Sequence, residues 1–93
     1  MADKEHAVIT VMGQDRVGIV AGVSKILNDY NVNIVDISQT ILHDIFAMIL
    51  LVDISKSESS LADLEENLHK AGENLGVKIV IQHEDIFRYM HRI

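Results

Sequence analysis

The chain contains no cysteine. Disulfides, cysteine-ligated zinc and thiol catalysis are therefore excluded. Tryptophan is also missing, and two tyrosines and two phenylalanines are the only aromatic residues. The core must then be built from Val, Ile and Leu, whose branching favours sheet. Basic residues are few and scattered, eight against fourteen acidic ones, and the formal net charge is −6. This disfavours binding to a phosphate backbone, which depends on clustered Lys and Arg displacing counterions. The longest apolar run, 45–52, is far short of the ~20 residues that span a bilayer. No amino-terminal apolar stretch follows a basic segment as in a secretory leader, so the expected location is the cytoplasm, with no membrane partner.

With 48% hydrophobic and 24% charged residues over 93 positions, the composition is that of one globular domain, 1–93. A chain of this size buries only about two-thirds of its unfolded surface. Residues 7–12 (AVITVM) read as a first strand with Ala7, Ile9 and Val11 on one face and Val8, Thr10 and Met12 on the other. From Val17 the period changes. Ile19, Val23, Ile26, Leu27 and Tyr30 fall on one helical stripe that ends near NDYNVN.

Residues 33–42 then predict a second strand, His43-Asp44 a tight turn, and 45–53 a central strand apolar on both faces. Ser60, with Asp63 three residues later, predicts a helix start, Ser57 being the alternative cap. Leu61, Leu64, Leu68, Ala71 and Leu75 mark the helix's buried stripe, Gly76 its stop, and 77–82 (VKIVIQ) a fourth strand. Ile86, Tyr89, Met90 and Ile93 recur at helical spacing in a short terminal helix that needs a docking surface.

The order β-α-β-β-α-β predicts an α+β fold, a ferredoxin-like sandwich. Its four-stranded antiparallel sheet carries two helices on one face, with a core over about 5–83 and a helical tail over 84–93. The helix-free face then carries Val8, Thr10, Met12 and Val80, enough apolar surface to favour association face to face or edge to edge.

The stretch VMGQDRVGIV between first strand and first helix concentrates the chemistry. Gly13 and Gly18 have the P-loop separation, but Ile19 and Val20 stand where lysine and a hydroxyl would be required, and G-x-G-x-x-G does not occur. Gly13 is expected to supply a positive φ and Gly18 a close approach of helix to sheet. The loop leads into free N–H groups and the positive end of a helix dipole, which suit a carboxylate, while Asp15 can take an ammonium group.

GQDRVGIVAGVSKILNDYNVNIVDISQTI resembles the opening half of an ACT domain, the small-molecule regulatory module of amino-acid-controlled enzymes and transcription regulators. The whole chain, with its ending QHEDIFRYMHRI, looks like the single-domain UPF0237 proteins, relatives of glycine-cleavage repressor regulators. The resemblance implies a non-catalytic homodimer binding an amino acid or related metabolite. The ligand would lie between the first loop of one subunit and the start of the second strand of its neighbour. It implies ligand-binding roles for Asp15, Gly18 and Asn33, with Arg16 and the N–H groups of Ile19 and Val20 in support. Where serine-binding members carry histidine and asparagine, this chain has Gly13 and Asp15, so the resemblance points away from serine itself.

Other chemistry finds little support. The five histidines show no H-x-x-x-H or H-E-x-x-H spacing, and His83 and His91 would lie roughly 12 Å apart along a helix, so neither metal nor other cofactor is expected. Asp36 and Ser38 read as an exposed strand edge. Ser24 has no neighbouring base, and the acylphosphatase loop Gly-x-Val-Gln-Gly-Val-x-Phe-Arg does not match, which leaves a small hydrolase as a distant alternative. RNA-recognition modules require aromatics on central strands, where only Phe46 is available. The remaining alternative is a ligand-free adaptor binding a protein partner through the open sheet face and the terminal helix. A tetramer through the open faces and a target enzyme or regulator are further expected partners.

Overall fold

The computed structural model describes residues 5–14, 18–57 and 59–90. Its elements are β1 (His6–Gln14), α1 (Ile19–Asp29), β2 (Asn33–Leu42), β3 (Ile45–Asp53), α2 (Leu61–Leu75), β4 (Val77–His83) and α3 (Glu84–Met90). All strand pairs are antiparallel, in the order β2-β3-β1-β4, so β1 and β3 are central and β2 and β4 are edges. The fold is the expected ferredoxin-like sandwich with an added terminal helix.

Strand alternation builds the core. Ala7, Ile9 and Val11 of β1 pair with Val52, Leu50 and Met48 of β3, and all six are fully buried. Ile79 and Ile81 of β4 continue the layer beside Val11 and Ile9. Ile19, Val23 and Leu27 of α1 and Leu64 and Leu68 of α2 close it from above. Phe46 belongs to this core, so it offers no exposed ring for base stacking.

Local signals set the ends. The Asp63 N–H donates to Ser60 Oγ at 3.1 Å and fixes the start of α2. Gly76, left-handed at φ 73°, ends it, and its N–H donates to the Glu73 carbonyl. Leu42 pairs with Ile45, so His43 and Asp44 form a two-residue hairpin loop.

Two glycines exchange their expected roles. Gly18 has φ 94° with nothing near the position of a Cβ, so it supplies the left-handed turn into α1. Gly13 allows the close approach, since a Cβ there would lie 2.6 Å from Val77 Cγ1.

The terminal helix docks at home. Glu84 Oε1 lies 3.5 Å from His6 Nδ1, and Gln82 Nε2 donates to Met90 Sδ at 3.2 Å. Because Gln82 pairs with Val8, α3 crosses the helix-free face and covers its Val8 end. Val8 is buried, while Met12 at the other end is exposed, as are Ile86, Tyr89 and Met90 of α3. No helix among the described residues is long and apolar enough to cross a membrane.

Candidate functional site

The first half of the candidate site lies where β1 leads into α1. Gly18 turns the chain without capping α1, because it has no side chain to accept from the first-turn N–H groups. Its carbonyl accepts from the Gly22 N–H at 2.8 Å and starts the helix. No acidic residue occupies the first turn. The N–H groups of Ile19 and Val20 therefore sit at the positive end of the helix, an arrangement suited to an anion. Ile19 anchors its side chain in the core, while Val20 is exposed. Asp15 and Arg16 lie outside the described residues.

The second half lies at the far end of α1. Its 11 residues span roughly 16 Å at 1.5 Å per residue. Beyond them the chain turns through Asn31, left-handed at φ 59°, and Asn33 opens β2. Asn33 is exposed and pairs in register with Asp53. Around it an open concavity of about 300 Å³ is lined by Asn28, Asn31, Val32, Asn33, Asp53 and Lys56. Asn31 Nδ2 donates to the Lys56 carbonyl at 3.1 Å, which ties the turn after α1 to the turn after β3. Asp53 Oδ1 accepts from both the N–H and Oγ of Ser55, at 2.9 and 2.6 Å.

Gly18, Ile19 and Val20 are thus brought together, and Asn33 is held at the opposite end of the same helix. The sequence reading missed Asn28, Asn31, Asp53 and Lys56. Three asparagines within six residues were a visible signal of a polar surface there. The contribution of Asp53 and Lys56 depends on strand pairing across the sheet.

Position 13 has no space for a side chain aimed at the loop, because Val77 fills it. The glycine at this slot is therefore a packing requirement as well as a departure from the serine-binding pattern.

The strand joining the two ends is unusually open. Along β2, Val35 is 51% exposed, Ile41 58% and Leu42 68%, and Ile45 opens the next strand exposed as well. A β-bulge shifts the register between Ile34 and Asp36, and Asp36 Oδ1 accepts from the Ile37 N–H at 2.9 Å. Asp36 and Ser38 are exposed, as expected of an edge. Asp36 is the one charge on β2. A ten-residue edge strand with one charge and with Val35, Ile37, Ile41 and Leu42 exposed is a template for pairing with another strand.

The ACT-domain family profile matches residues 5–82. The chain belongs to the ACT-domain family. A UPF0237 protein of Methanocaldococcus jannaschii is 62% identical over 88 residues, covering 95% of this chain and 98% of that protein. A UPF0237 protein of Clostridium perfringens is 52% identical over 88 residues, covering 95% and 99%. Among solved structures, an ACT domain protein from Streptococcus pneumoniae superposes with a TM-score of 0.81 at 41% identity, covering 91% of this chain and 96% of that one. A protein assigned as a glycine cleavage system transcriptional repressor gives a TM-score of 0.75 at 25% identity, covering 86% of this ACT domain but 46% of its own length.

Electrostatics elsewhere belong to the scaffold. The Arg88 guanidinium, hydrogen-bonded to Glu84 at 3.1 Å, holds the Glu84 carboxyl below the ordinary glutamate range, with His6 adding to the effect. His83 lies 3.7 Å from both Glu5 and Asp85, and its Nδ1 accepts from the Asp85 N–H. No cluster of three or more His, Asp or Glu suited to a metal occurs among the described residues, and His91 lies outside them.

Proposed function

We propose that this ACT domain is a non-catalytic cytoplasmic regulator that binds an amino acid or related metabolite between two copies of itself. The carrying observation is the separation of Gly18 and Asn33 at opposite ends of α1, joined by the exposed strand β2. Two-fold pairing of β2 with its copy would run the strands antiparallel. Each Asn33 would then approach the other subunit's Leu42 end, beside the end of β1 and the start of α1.

In this arrangement the N–H groups of Ile19 and Val20 take the ligand carboxylate, with Arg16 in support, and Asp15 takes its ammonium group. Asn33 of the neighbour closes the site. Ligand present only in the paired state stabilises that state, and the shift is passed to a target enzyme or regulator by changing the shape or lifetime of the pair. The apolar part of the open sheet face offers a second surface for a tetramer.

A thermal-shift screen of the purified chain against amino acids and central metabolites, with oligomer mass recorded in parallel, tests this reading. At one hundred times the dissociation constant, linkage gives a gain of ~2.7 kcal/mol. A selective rise in Tm that disappears in Asn33→Ala supports the sensor, and a stable dimer indifferent to every compound contradicts it. The adaptor reading draws its support from the exposed Ile86, Tyr89 and Met90 of α3. Deleting residues 85–93 would then abolish partner capture.

A further inference from the structure

The terminal helix turns an apolar edge away from the sheet that holds it. α3 has seven residues and none of them is buried. Glu84, beside His6, and half-buried Phe87 mark the side of α3 that faces the sheet. At 3.6 residues per turn, Tyr89 comes round roughly 170° from the middle of that side, flanked by Ile86 and Asp85. Their exposure agrees: Tyr89 is 78% and Ile86 55% exposed, and the Asp85 side chain 85%. A helix this short is not stable alone in water and depends on packing, yet its own sheet covers only one side of it.

The sheet is short of cover as well. Among the strands α3 meets β1 and β4, and it lies over their Val8 and Gln82 end. Towards the other end Thr10 pairs with Val80 and Met12 with Lys78, so these four side chains share the helix-free face beyond the helix. Met12 and Val80 are exposed there. Lys78 makes no ion pair among the described residues, unlike Lys25 and Lys70, which pair with Asp29 and Glu66.

One rotation meets both needs. A two-fold axis lying between two facing sheets, at right angles to the strands, sets the Val8 end of each over the Met12 end of the other. It keeps β1 and β4 of one copy above β1 and β4 of the next. The two α3 helices then form a single layer between the sheets, each with Tyr89 and Ile86 against Met12 and Val80 of the other copy. α3 starts directly after His83, so the same rotation carries its acidic first turn, Glu84 and Asp85, over the Lys78 end of the opposite β4. The charges are complementary at the one place where the bare face carries a charge.

We propose that the bare half of the helix-free face is a docking site for α3 of a second copy, exchanged reciprocally so that each helix covers the other's sheet. The contact is separate from the β2 edge and from the amino-acid site, and it gives α3 a role in assembly. Its size sets its strength. Taking roughly 150–250 Å² for a large side chain, the exposed fractions of Met12, Val80, Ile86, Tyr89 and Met90 leave about 500 Å² of apolar surface per copy. A standard interface buries ~800 Å² per partner, so this one is reversible and joins edge-paired copies only as concentration rises.

Sedimentation of the full chain from about 1 μM to about 1 mM reads the contact. The parent should gain mass from two copies toward four. Ile41→Lys, with its edge pair broken, should go from one copy toward two. A parent that itself goes from one to two would keep this contact and count against the edge pair instead. Tyr89→Glu and Met12→Glu alter exposed side chains, and each should raise the dissociation constant of the step about tenfold or more. Lys78→Glu should weaken it too, and Asp85→Lys in the same chain should restore it. A parent whose mass never rises with concentration overturns the proposal. So does a rise that survives Tyr89→Glu, which would mean that bare sheet halves meet without α3, or a combined charge reversal that restores nothing.

Discussion

Gly22 and Gly72 both occupy helix interiors, where replacing glycine by alanine normally gains about 1 kcal/mol from reduced backbone freedom. The packing around them predicts opposite outcomes. At Gly22 the nearest contact of an added Cβ is Leu75 Cδ1 at 3.1 Å, the far end of a flexible side chain. Leu75 is half-buried and can give way, so Gly22→Ala should retain most of the gain. At Gly72 the added Cβ would lie 2.8 Å from the Val77 carbonyl oxygen and 3.3 Å from Ile79 Cγ1. The carbonyl belongs to the start of β4 and cannot turn aside without moving strand against helix. Overpacking of this kind costs typically 1–3 kcal/mol. Set against the propensity gain, Gly72→Ala should lose up to about 2 kcal/mol, a fall in Tm of roughly 4–8 °C per kcal/mol for a domain of this length. Urea unfolding of both variants at one protomer concentration provides the measurement, with concentration held fixed because pairing contributes to apparent stability. If Gly72→Ala proves as stable as Gly22→Ala, the close seating of α2 on β4 is wrong.

The edge-pairing account predicts that Ile41→Lys, which charges β2 while leaving the buried core intact, lowers the mass in solution from twice the chain's 10.4 kDa to one copy, as read by light scattering; an unchanged mass would move the interface elsewhere. Ser60→Ala removes the acceptor for the Asp63 N–H and should cost ~1 kcal/mol in urea unfolding, whereas no loss would show that the start of α2 is held by other contacts. The Glu84 carboxyl is lowered in the folded chain by Arg88 and His6, so its contribution is complete above the ordinary glutamate pKa and is lost as pH falls through the lower folded value. The stability advantage of the parent over Glu84→Gln should therefore shrink on acidification, and growth of that advantage would contradict the role given to Arg88.

Periodicity made most of the architecture legible. The alternation of Ala7, Ile9 and Val11 and the helical stripe of Ile19, Val23 and Leu27 each report burial, whereas the two-sided apolar run of β3 buries Phe46, Met48, Leu50 and Val52 on one face and leaves Ile45 and Ile49 exposed on the other. Glycine was less legible because it carries no hydrophobic signal. Gly72 is fully enclosed between α2 and β4 while Ala71, which fits the apolar spacing, is only half-buried. Gly13 and Gly18 traded roles for a related reason, since a close approach depends on which strand lies alongside, here Val77, sixty-odd residues away in sequence. The docking of α3 turned on His6 and Gln82, polar residues with no periodic signature. For the candidate site, family resemblance named Gly18 and Asn33, and strand pairing added what lies beside Asn33. Asp53 and Lys56, which line the concavity, carried no sequence signal of that position, because antiparallel pairing of β2 with β3 is what brings them beside Asn33.

The most direct test of the shared site is complementation between two defective chains. Asp15→Ala damages the loop half and Asn33→Ala the strand half, and each variant alone should lose binding of the amino acid selected by the thermal-shift screen. When equal amounts are dissociated and re-paired, half the dimers are mixed, and each mixed dimer has one site assembled from two undamaged halves. Calorimetry should then recover about a quarter of the parental sites at parental affinity, as two-fold symmetry requires. Recovery of none, with mixed dimers shown to form, would mean that both halves act within one chain and would contradict the account.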